Sequence, residues 1–480
     1  MTTRDDLHRG TTRGAGWLGL GAATVKGSQT VVLLILAALL EPSAMGVLAL
    51  GALVLNVTSA ITDLGTGTAL VHWRDDVERA ARTALTLSLV LGLALTAAVW
   101  VIAPWFADAL GAGDVGADVL RGLILCLPFI SASAVGHELL RRAFAFRRRV
   151  MPDIVGALVG AAVSVVLAVQ GAGVYALVVG QLVQAVLALA LLWAVAPSVR
   201  PGWSRSDAAG LLSYGGHLAG GNIVSLLMLN VDYVLVARLL GVTALGVYSM
   251  SFRLAYMPVV LIAVVVCGAA FAYLCRLEGD EVGRATDDVL VMLLGLVLPL
   301  YVGMLMLAPQ LGLLGDQWTP GVPVLRWLAV YGVLVSLVQL AVIVLNAVGR
   351  TRTGLLVNLF HLALLAVLLL MMTPLGVTAV GIAQSLAAAL TLAVAVVAVQ
   401  RHVTGFDPRD VLRRTAPMAA GVAAMVVVGE LAIVLLPWAR VSVTGLLLVG
   451  TALLLAYVAP SALLARRRGA PLLQVLGVRA

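Results

Sequence analysis

The chain has 480 residues, of which 62% are hydrophobic and only 11% are charged, and its mean hydropathy is +1.08. A soluble domain usually carries about 25% charged residues. This composition therefore excludes a single soluble core with a polar surface and predicts a protein that resides in the lipid bilayer.

Apolar segments long enough to cross a membrane follow one another along the chain. A transmembrane helix needs about 20 apolar residues, and by this length the sequence predicts fourteen helices. No segment sustains the alternation of polar and apolar residues that the strands of a membrane barrel show. The predicted segments are 17–40, 44–72, 80–103, 119–138, 153–170, 173–195, 212–240, 245–271, 287–309, 323–348, 354–373, 376–399, 415–437 and 441–464.

Two of the predicted connections are short, and the first segment is long. "QGAG" joins the fifth and sixth segments and "TPLG" joins the eleventh and twelfth, so each pair is predicted to form a tight helical hairpin. The first segment exceeds the 7–15 apolar residues of a signal peptide and contains a lysine, so we interpret it as a helix of the protein. The three cysteines form no CxxC pair, which predicts free thiols.

Basic residues indicate the orientation in the membrane. Most of the 31 lysines and arginines fall at the two termini and in the even-numbered loops, whereas the odd loops are short and mostly acidic or neutral. Short cytoplasmic loops are enriched in lysine and arginine. The sequence therefore predicts a multi-pass protein of the cytoplasmic membrane with both termini in the cytoplasm, and the net charge of +8 requires no nucleic-acid partner.

The two halves of the chain resemble each other. "LLEPSAMGVLAL" at 39–50 matches "LLGVTALGVYSM" at 239–250, "VLR" at 119–121 recurs at 324–326, and "GVYALVVGQ" at 173–181 matches "GVTAVGIAQ" at 376–384. Three matches in the same order with nearly one offset predict two parallel copies of a six-helix unit around a central cavity, as in transporters that work by alternating access. The predicted domains are 1–200, 201–403 and, for helices 13 and 14 with the tail, 404–480.

Motifs for catalysis and for metal or nucleotide binding are weak. "HELLR" at 137–141 lacks the second histidine of the zinc pattern HExxH, and nothing resembles the phosphate-binding pattern GxxxxGK[ST]. The acidic pairs Asp75-Asp76 and Asp287-Asp288 are interpreted as solvated charge. No outer loop is long enough for a catalytic domain. We therefore expect a protein that is not an enzyme and that has no metal and no cofactor.

Several stretches resemble a known family. "LGTGTALVH", "RRAFAFRRR", "GVYALVVGQ" and above all "NVDYVLVARLLGVTALGVYSMSFRLAYMP" are similar to polysaccharide flippases of the multidrug/oligosaccharidyl-lipid/polysaccharide exporter superfamily, in the lipopolysaccharide and teichuronic-acid export branch. The resemblance covers roughly residues 15–400. It implies a protein that moves a polyprenyl-diphosphate-linked oligosaccharide from the cytoplasmic to the outer leaflet. The fourteen-helix count also resembles that of the lipid II flippases.

A negatively charged diphosphate gives the deepest basic residues a possible role. Lys26, the only lysine of the chain, lies within the first apolar segment, where a charge facing lipid costs roughly 2.5 to 3.5 kcal/mol. Lys26 and Asp63 lie at matched depth in helices 1 and 2, and Asp232 and Arg253 do so in helices 7 and 8. Each pair is either a structural ion pair or a site where substrate phosphate or an ion gradient acts on the charges.

Three further residues complete the predicted site. Arg121 and Arg326 end the two VLR repeats near the outer ends of their helices, where they either extend toward the membrane surface or line an outer opening. Glu430 on helix 13 is a lone intramembrane acid that either packs in a protonated form, contacts a lipid groove or takes part in ion coupling. The predicted substrate-binding residues are Lys26, Arg253, Arg121 and Arg326, and the predicted ion-pair or coupling residues are Asp63, Asp232 and Glu430.

The sequence thus predicts a flippase for a lipid-linked oligosaccharide that serves cell-surface polysaccharide export. Its expected partners are the lipid-linked substrate, membrane lipids and polysaccharide-assembly proteins. A multidrug/cation antiporter of the same superfamily is the alternative, and a membrane glycan polymerase or ligase is less favoured. The charge of the substrate cavity distinguishes the first two, because cationic drugs favour a net acidic cavity and a lipid diphosphate favours a net basic one.

Overall fold

A computed structural model describes residues 21, 24–63, 70, 73, 76–197, 199–213, 230–435 and 442–468 of the chain. Throughout these ranges every regular element is a helix, which confirms the predicted all-α class. Seven helices lie in the described residues before residue 198. The first, α1, is Thr24–Leu39, and the next six are α2 (Pro42–Asp63), α3 (Val77–Ala109), α4 (Gly113–Ile124), α5 (Leu127–Arg142), α6 (Phe146–Val169) and α7 (Tyr175–Val195).

The remaining helices follow in the second half of the described chain. They are α8 (Val231–Pro258), α9 (Val264–Leu274), α10 (Asp280–Leu307), α11 (Gly321–Ala347), α12 (Thr351–Met372), α13 (Val377–His402), α14 (Pro408–Leu435) and α15 (Val443–Arg468). A π-helical turn, Val259–Ala263, joins α8 to α9, and short 3₁₀ turns follow α10 and α12.

The observed helices agree with the predicted segments. In the described ranges, 11 helices are long and apolar enough to cross a membrane, and two shorter apolar helices, Thr24–Leu39 and Thr444–Pro460, match the first and last predicted segments. Most of the seventh segment lies outside the described residues. The predicted fourth segment differs, since α4 and α5 are separate helices with Pro128 in the first turn of α5, where a missing N–H is tolerated.

The chain divides into a first unit, Met1–Gly246, and a second unit, Val247–Ala480. Helix α8 contains a break at Gly241, whose φ of 85° and ψ of 171° are not helical. Only glycine adopts this region without strain, and the break falls at the predicted junction of helices 7 and 8. The predicted domain limits at 200 and 403 and the central cavity stay predictions.

Two glycines form a close backbone contact within the first unit. A Cβ added to Gly46 of α2 would overlap the carbonyl oxygen of Val242, and one added to Gly246 would overlap that of Pro42. Each such Cβ would also lie 3.0 Å from the backbone nitrogen of the other glycine. Gly46 and Gly246 hold the same position in the two matching sequence stretches, so the contact is reciprocal, as a two-fold relation between repeats requires.

The connection after α7 is held against α3. The Thr86 hydroxyl donates a hydrogen bond to the Gly202 carbonyl oxygen at 2.8 Å, and the Ser204 amide donates to the Thr83 hydroxyl at 3.2 Å. Arg79 donates to both carboxylate oxygens of the buried Asp207, at 2.7 and 3.3 Å. These bonds fix a connecting segment that would otherwise leave its polar backbone groups without partners.

This Arg79 contact predicts a pH-dependent stability. The hydrogen bonds from Arg79 hold the pKa of Asp207 below its usual value of 3.8. A depressed carboxyl pKa stabilises the fold fully above the usual pKa, and the effect is lost as the pH falls through the folded-state value. We expect Asp207→Asn to cost about 1 kcal/mol at neutral pH, because Arg79 is half exposed to solvent.

Thermal unfolding of the purified protein in detergent measures this effect. The difference in midpoint between wild type and Asp207→Asn should shrink as the pH is lowered below the usual carboxyl pKa. Asp108→Asn, at an exposed position on α3, is the matched control and should show no such convergence. A difference that grows toward low pH would contradict the assignment.

In the second unit, buried tyrosine and glutamine side chains form hydrogen bonds between helices. The Tyr301 hydroxyl of α10 donates to the Ala255 carbonyl oxygen at 2.8 Å, and its ring occupies the space beside Gly332 of α11. The amide of Gln384 on α13 donates to the Tyr248 hydroxyl at 3.1 Å. These two side chains therefore use their polar groups for helix packing.

Candidate functional site

A polar cavity of about 450 Å³ lies within the first unit, a volume typical of small-molecule sites. Its walls come from α1, α2, α5, α6 and α7, and from the short turn before α5. The lining residues are Gln29, Ser59, Thr62, Cys126, Ile130, Ser131, Ser133, Ala134, His137, Glu138, Asp153, Gln181, Gln184, Ala185 and Ala188. Most of these side chains are polar although they stand on strongly apolar helices.

The close packing of α6 on α7 positions one wall of the cavity. A Cβ on Gly156 would lie 2.9 Å from the Gln184 carbonyl oxygen, and one on Gly160 would lie 2.6 Å from the Gly180 carbonyl oxygen and 2.8 Å from the Gln184 Cβ. Small residues four apart let membrane helices approach this closely. Gly171 and Gly173, with φ of 86° and 58°, form the tight hairpin predicted between the two helices.

Three glutamine side chains supply amide groups to the cavity. Within the described part of the chain, the side chains of Gln29, Gln181 and Gln184 make no hydrogen bond. Each amide offers two N–H donors and one carbonyl acceptor. The hydroxyls of Ser131 and Ser133 donate to carbonyl oxygens of their own helix at 2.8 and 2.7 Å, which leaves their lone pairs as acceptors.

The ionisable residues of the cavity have oppositely charged or basic neighbours. His137 Nε2 lies 3.5 Å from Asp153 Oδ1. Glu138 lies between two arginines, at 3.1 Å from Arg141 and 3.7 Å from Arg149. No lysine or arginine is among the described lining residues. The cavity can thus bind a neutral ligand rich in hydroxyl groups, and its lining offers no cation to a phosphate.

Lys26 lies on α1, one helical turn before the lining residue Gln29. Residues three apart share a helix face, so Lys26 lies near the cavity wall without being part of the lining. Its side chain is exposed, and no described heavy atom lies within 4 Å of the position a Cβ on Gly27 would take. The side chain of Asp63 lies outside the described residues, so the Lys26–Asp63 pair stays a prediction.

The second predicted pair is divided between the two units. Asp232 in the first unit is 1% exposed, and its Oδ1 accepts a hydrogen bond from the Tyr233 amide at 2.9 Å. Arg253 lies in the second unit and is half-buried. The pairing of Asp232 with Arg253 therefore stays a prediction.

The other predicted residues are not among the lining residues of the cavity. Arg121 is 5.8 Å from the centre of the Trp100 ring, donates to the Trp100 carbonyl oxygen at 3.4 Å and lies 3.7 Å from Asp118. Arg326 and Glu430 are exposed on α11 and α14. The tryptophan and carboxylate contacts favour surface anchoring for Arg121. The substrate and coupling roles of all three stay predictions.

The sequence contained a signal for the cavity that motif reasoning passed over. Ile130, Ser131, Ala134, His137 and Glu138 recur at the spacing of one helix face on α5. The "HELLR" stretch does not match the zinc pattern, but its residues His137 and Glu138 both line the cavity. Gln181 lines the cavity, whereas Gln384, which holds the equivalent position in the second repeat, donates a hydrogen bond to the Tyr248 hydroxyl.

A metal centre is not among the features of this site. In the ranges the structure describes, no group of three or more histidine, cysteine or acidic side chains could hold a metal ion. Cys126, Cys267 and Cys275 are all free thiols.

The chain is similar in sequence to two characterised proteins of polysaccharide assembly. The succinoglycan biosynthesis transport protein ExoT of Rhizobium meliloti is 29% identical over 325 residues, which are 66% of this chain and 65% of that protein. The lipopolysaccharide biosynthesis protein WzxC of Escherichia coli is 23% identical over 337 residues, 69% of this chain and 68% of that protein. The matched region thus spans about two thirds of the length of these relatives.

Solved structures show the same fold at low sequence identity. The lipid II flippase MurJ in an inward closed conformation aligns with a TM-score of 0.71 and 12% identity over 93% of this chain and 99% of that chain. An inward-facing multidrug resistance MATE family transporter of the MOP superfamily aligns with a TM-score of 0.60 and 17% identity over 78% of this chain and 95% of that chain.

Family membership rests on a match that covers more than half of the chain. The family profile described as "Polysaccharide biosynthesis protein" matches residues 35–323. The match includes the whole polar cavity except Gln29. This protein, a multi-pass membrane protein with the fold of lipid flippases, belongs to the polysaccharide biosynthesis protein family.

Proposed function

We propose that the protein flips a polyprenyl-diphosphate-linked oligosaccharide across the cytoplasmic membrane by alternating access, for export of a cell-surface polysaccharide. The observation that carries this proposal is the combination of family membership with a fold shared over 93% of the chain with a lipid II flippase. The names of the relatives, a succinoglycan transport protein and a lipopolysaccharide biosynthesis protein, support the same substrate class.

The physical problem of this transport fits the polar groups found on apolar helices. A glycan with a diphosphate cannot enter hydrocarbon unless polar groups of the protein replace its water. Polar residues inside a membrane are energetically costly, so they usually have a function. Lys26, whose side chain is exposed, lies on α1 one turn before the lining residue Gln29. The concentration of arginine in the even-numbered loops and at the termini supports a cytoplasmic location of both termini. We also propose that the protein works together with polysaccharide-assembly proteins.

Inactivation of the gene in its host tests the proposal. We expect loss of the surface polysaccharide and accumulation of lipid-linked glycan that a membrane-impermeant glycosidase cannot reach from outside the cell, since the glycan stays on the cytoplasmic side. A plasmid copy of the gene should restore both properties. Normal surface polysaccharide, with no accumulated intermediate, would contradict the proposed function.

Drug/cation antiport is the second candidate, and the two carboxylates of the cavity favour it. Asp153 and Glu138 are the kind of groups that attract a cationic drug, and the fold is shared with a multidrug transporter. The charge of Glu138 is offset, however, by Arg141 and Arg149, at 3.1 and 3.7 Å. Increased sensitivity to cationic drugs after inactivation, with intact polysaccharide, would select this candidate.

A further inference from the structure

The first unit contains a site whose polar groups match the chemistry of sugars better than that of phosphates or ions. We propose that the cavity between α1, α2, α5, α6 and α7 binds the glycan portion of the lipid-linked substrate, apart from the diphosphate. This inference rests on the proposed function and adds to it the place where the sugars are recognised.

The hydrogen-bonding groups of the cavity carry the argument. A sugar hydroxyl is both donor and acceptor, so it is bound best by groups that offer both, such as carboxamides. Gln29, Gln181 and Gln184 bring three such amides from two helices, and no described protein group satisfies them. Ser131 and Ser133 add acceptors, because their protons are already donated to the backbone.

The charges of the cavity argue against the diphosphate as its ligand. Phosphate groups in proteins are bound mainly by arginine, lysine and backbone N–H groups. No arginine or lysine is among the described lining residues, and the carboxylates of Glu138 and Asp153 offer an anion no hydrogen-bond donor. The same carboxylates accept hydrogen bonds from sugar hydroxyls, and their partners His137, Arg141 and Arg149 hold them in place.

A metal ion is also a poorer match than a sugar. Hard cations require several oxygen ligands at close range, mostly from carboxylates. Within the described chain, no cluster of three or more acidic, histidine or cysteine side chains could hold a metal. Neutral amides that lie in a cavity of about 450 Å³ favour a neutral polar ligand of comparable size.

The cavity lies close enough to Lys26 for the two to bind adjacent parts of one substrate, the glycan in the cavity and the diphosphate at Lys26. Lys26 precedes Gln29 by one turn on α1, which is about 4.5 Å along the helix axis. In a lipid-linked oligosaccharide the sugar is joined directly to the diphosphate. A phosphate held near Lys26 would therefore place the attached glycan beside Gln29 at the cavity wall.

Binding to the full-length protein in detergent tests the inference with two probes. The first probe is undecaprenyl diphosphate without a glycan, and the second is the lipid-linked glycan isolated from host cells lacking this gene. Wild type should bind the glycan-bearing probe more tightly. Gln181→Leu and Gln184→Leu, which remove amides at similar volume, should each weaken that probe about tenfold and leave binding of the bare carrier unchanged.

Two further variants control for a general effect of the Gln→Leu change and for misfolding of the α7 variants. Gln170→Leu, at the exposed end of the same hairpin, makes the same substitution outside the cavity and should bind both probes like wild type. Gln29→Leu removes the third amide at an exposed position of α1, so it tests the inference even where a variant on α7 fails to fold. It too should weaken only the glycan-bearing probe.

The outcomes separate this inference from the proposed function. Wild type that binds neither probe, or a mutant host that accumulates no lipid-linked glycan, would overturn the proposed function and the inference together. Wild type that binds both probes equally would overturn the inference alone. Cavity variants that weaken both probes equally, or that keep the full affinity for the glycan-bearing probe, would do the same.

Discussion

Replacing Gly46 by alanine should lower the stability of the protein, although alanine is the better helix former. The added Cβ would overlap the carbonyl oxygen of Val242, a backbone atom that cannot move aside as a flexible side chain can. The helix crossing must open, which costs about 1–3 kcal/mol in a close-packed core. Gly246→Ala should cost a similar amount, because its Cβ would overlap the Pro42 carbonyl oxygen in the reciprocal way.

Gly27→Ala is the matched control for this prediction. Gly27 lies within α1, and no described heavy atom lies within 4 Å of its added Cβ. There the substitution should keep or raise stability by up to about 1 kcal/mol, the helix-propensity difference between the two residues. Melting temperature in detergent and abundance in the membrane measure both effects. Equal melting temperatures for Gly46→Ala and Gly27→Ala would contradict the close contact.

The sequence predicted the helices and the relation between the halves well, because both depend on patterns along the chain. Runs of apolar residues are set by bilayer thickness, and the VLR repeats behave alike in the structure. Val119 and Leu120 are buried, as are Val324 and Leu325, whereas the arginine that follows each pair is at least partly exposed. The two copies of this short motif therefore have the same pattern of burial in the structure.

The candidate site was less predictable, because it depends on contacts between distant segments. Gln181 and Gln384 hold equivalent positions in the repeat, yet Gln384 bonds to Tyr248 while Gln181 has no such partner in the described chain and lines a cavity. The difference arises from which neighbours face each residue, and a single sequence does not contain that information. Reasoning from charge alone selects Lys26 and does not select the neutral amide of Gln29, one turn away on α1.

Lys26→Gln should lower glycan export about tenfold or more without lowering the amount of folded protein. We propose that Lys26 binds the diphosphate of the lipid carrier, because a lysine ammonium holds phosphate as a mobile point charge and can release it. Its exposed position on α1 leaves the side chain accessible. Losing a charged hydrogen-bonding partner costs about 1.5–3 kcal/mol, so export should fall about tenfold or more, and lipid-linked intermediate should accumulate inside the cell.

Two companion variants distinguish phosphate binding from a purely structural ion pair. Lys26→Arg should retain part of the export, because the charge survives while its geometry changes. If Lys26 only neutralised Asp63, Lys26→Gln would reduce protein abundance by leaving one intramembrane charge without a partner, and the double variant with Asp63→Asn would restore abundance and export together. Restored export in that double variant would exclude the phosphate role, since no cation would then remain at this position of α1.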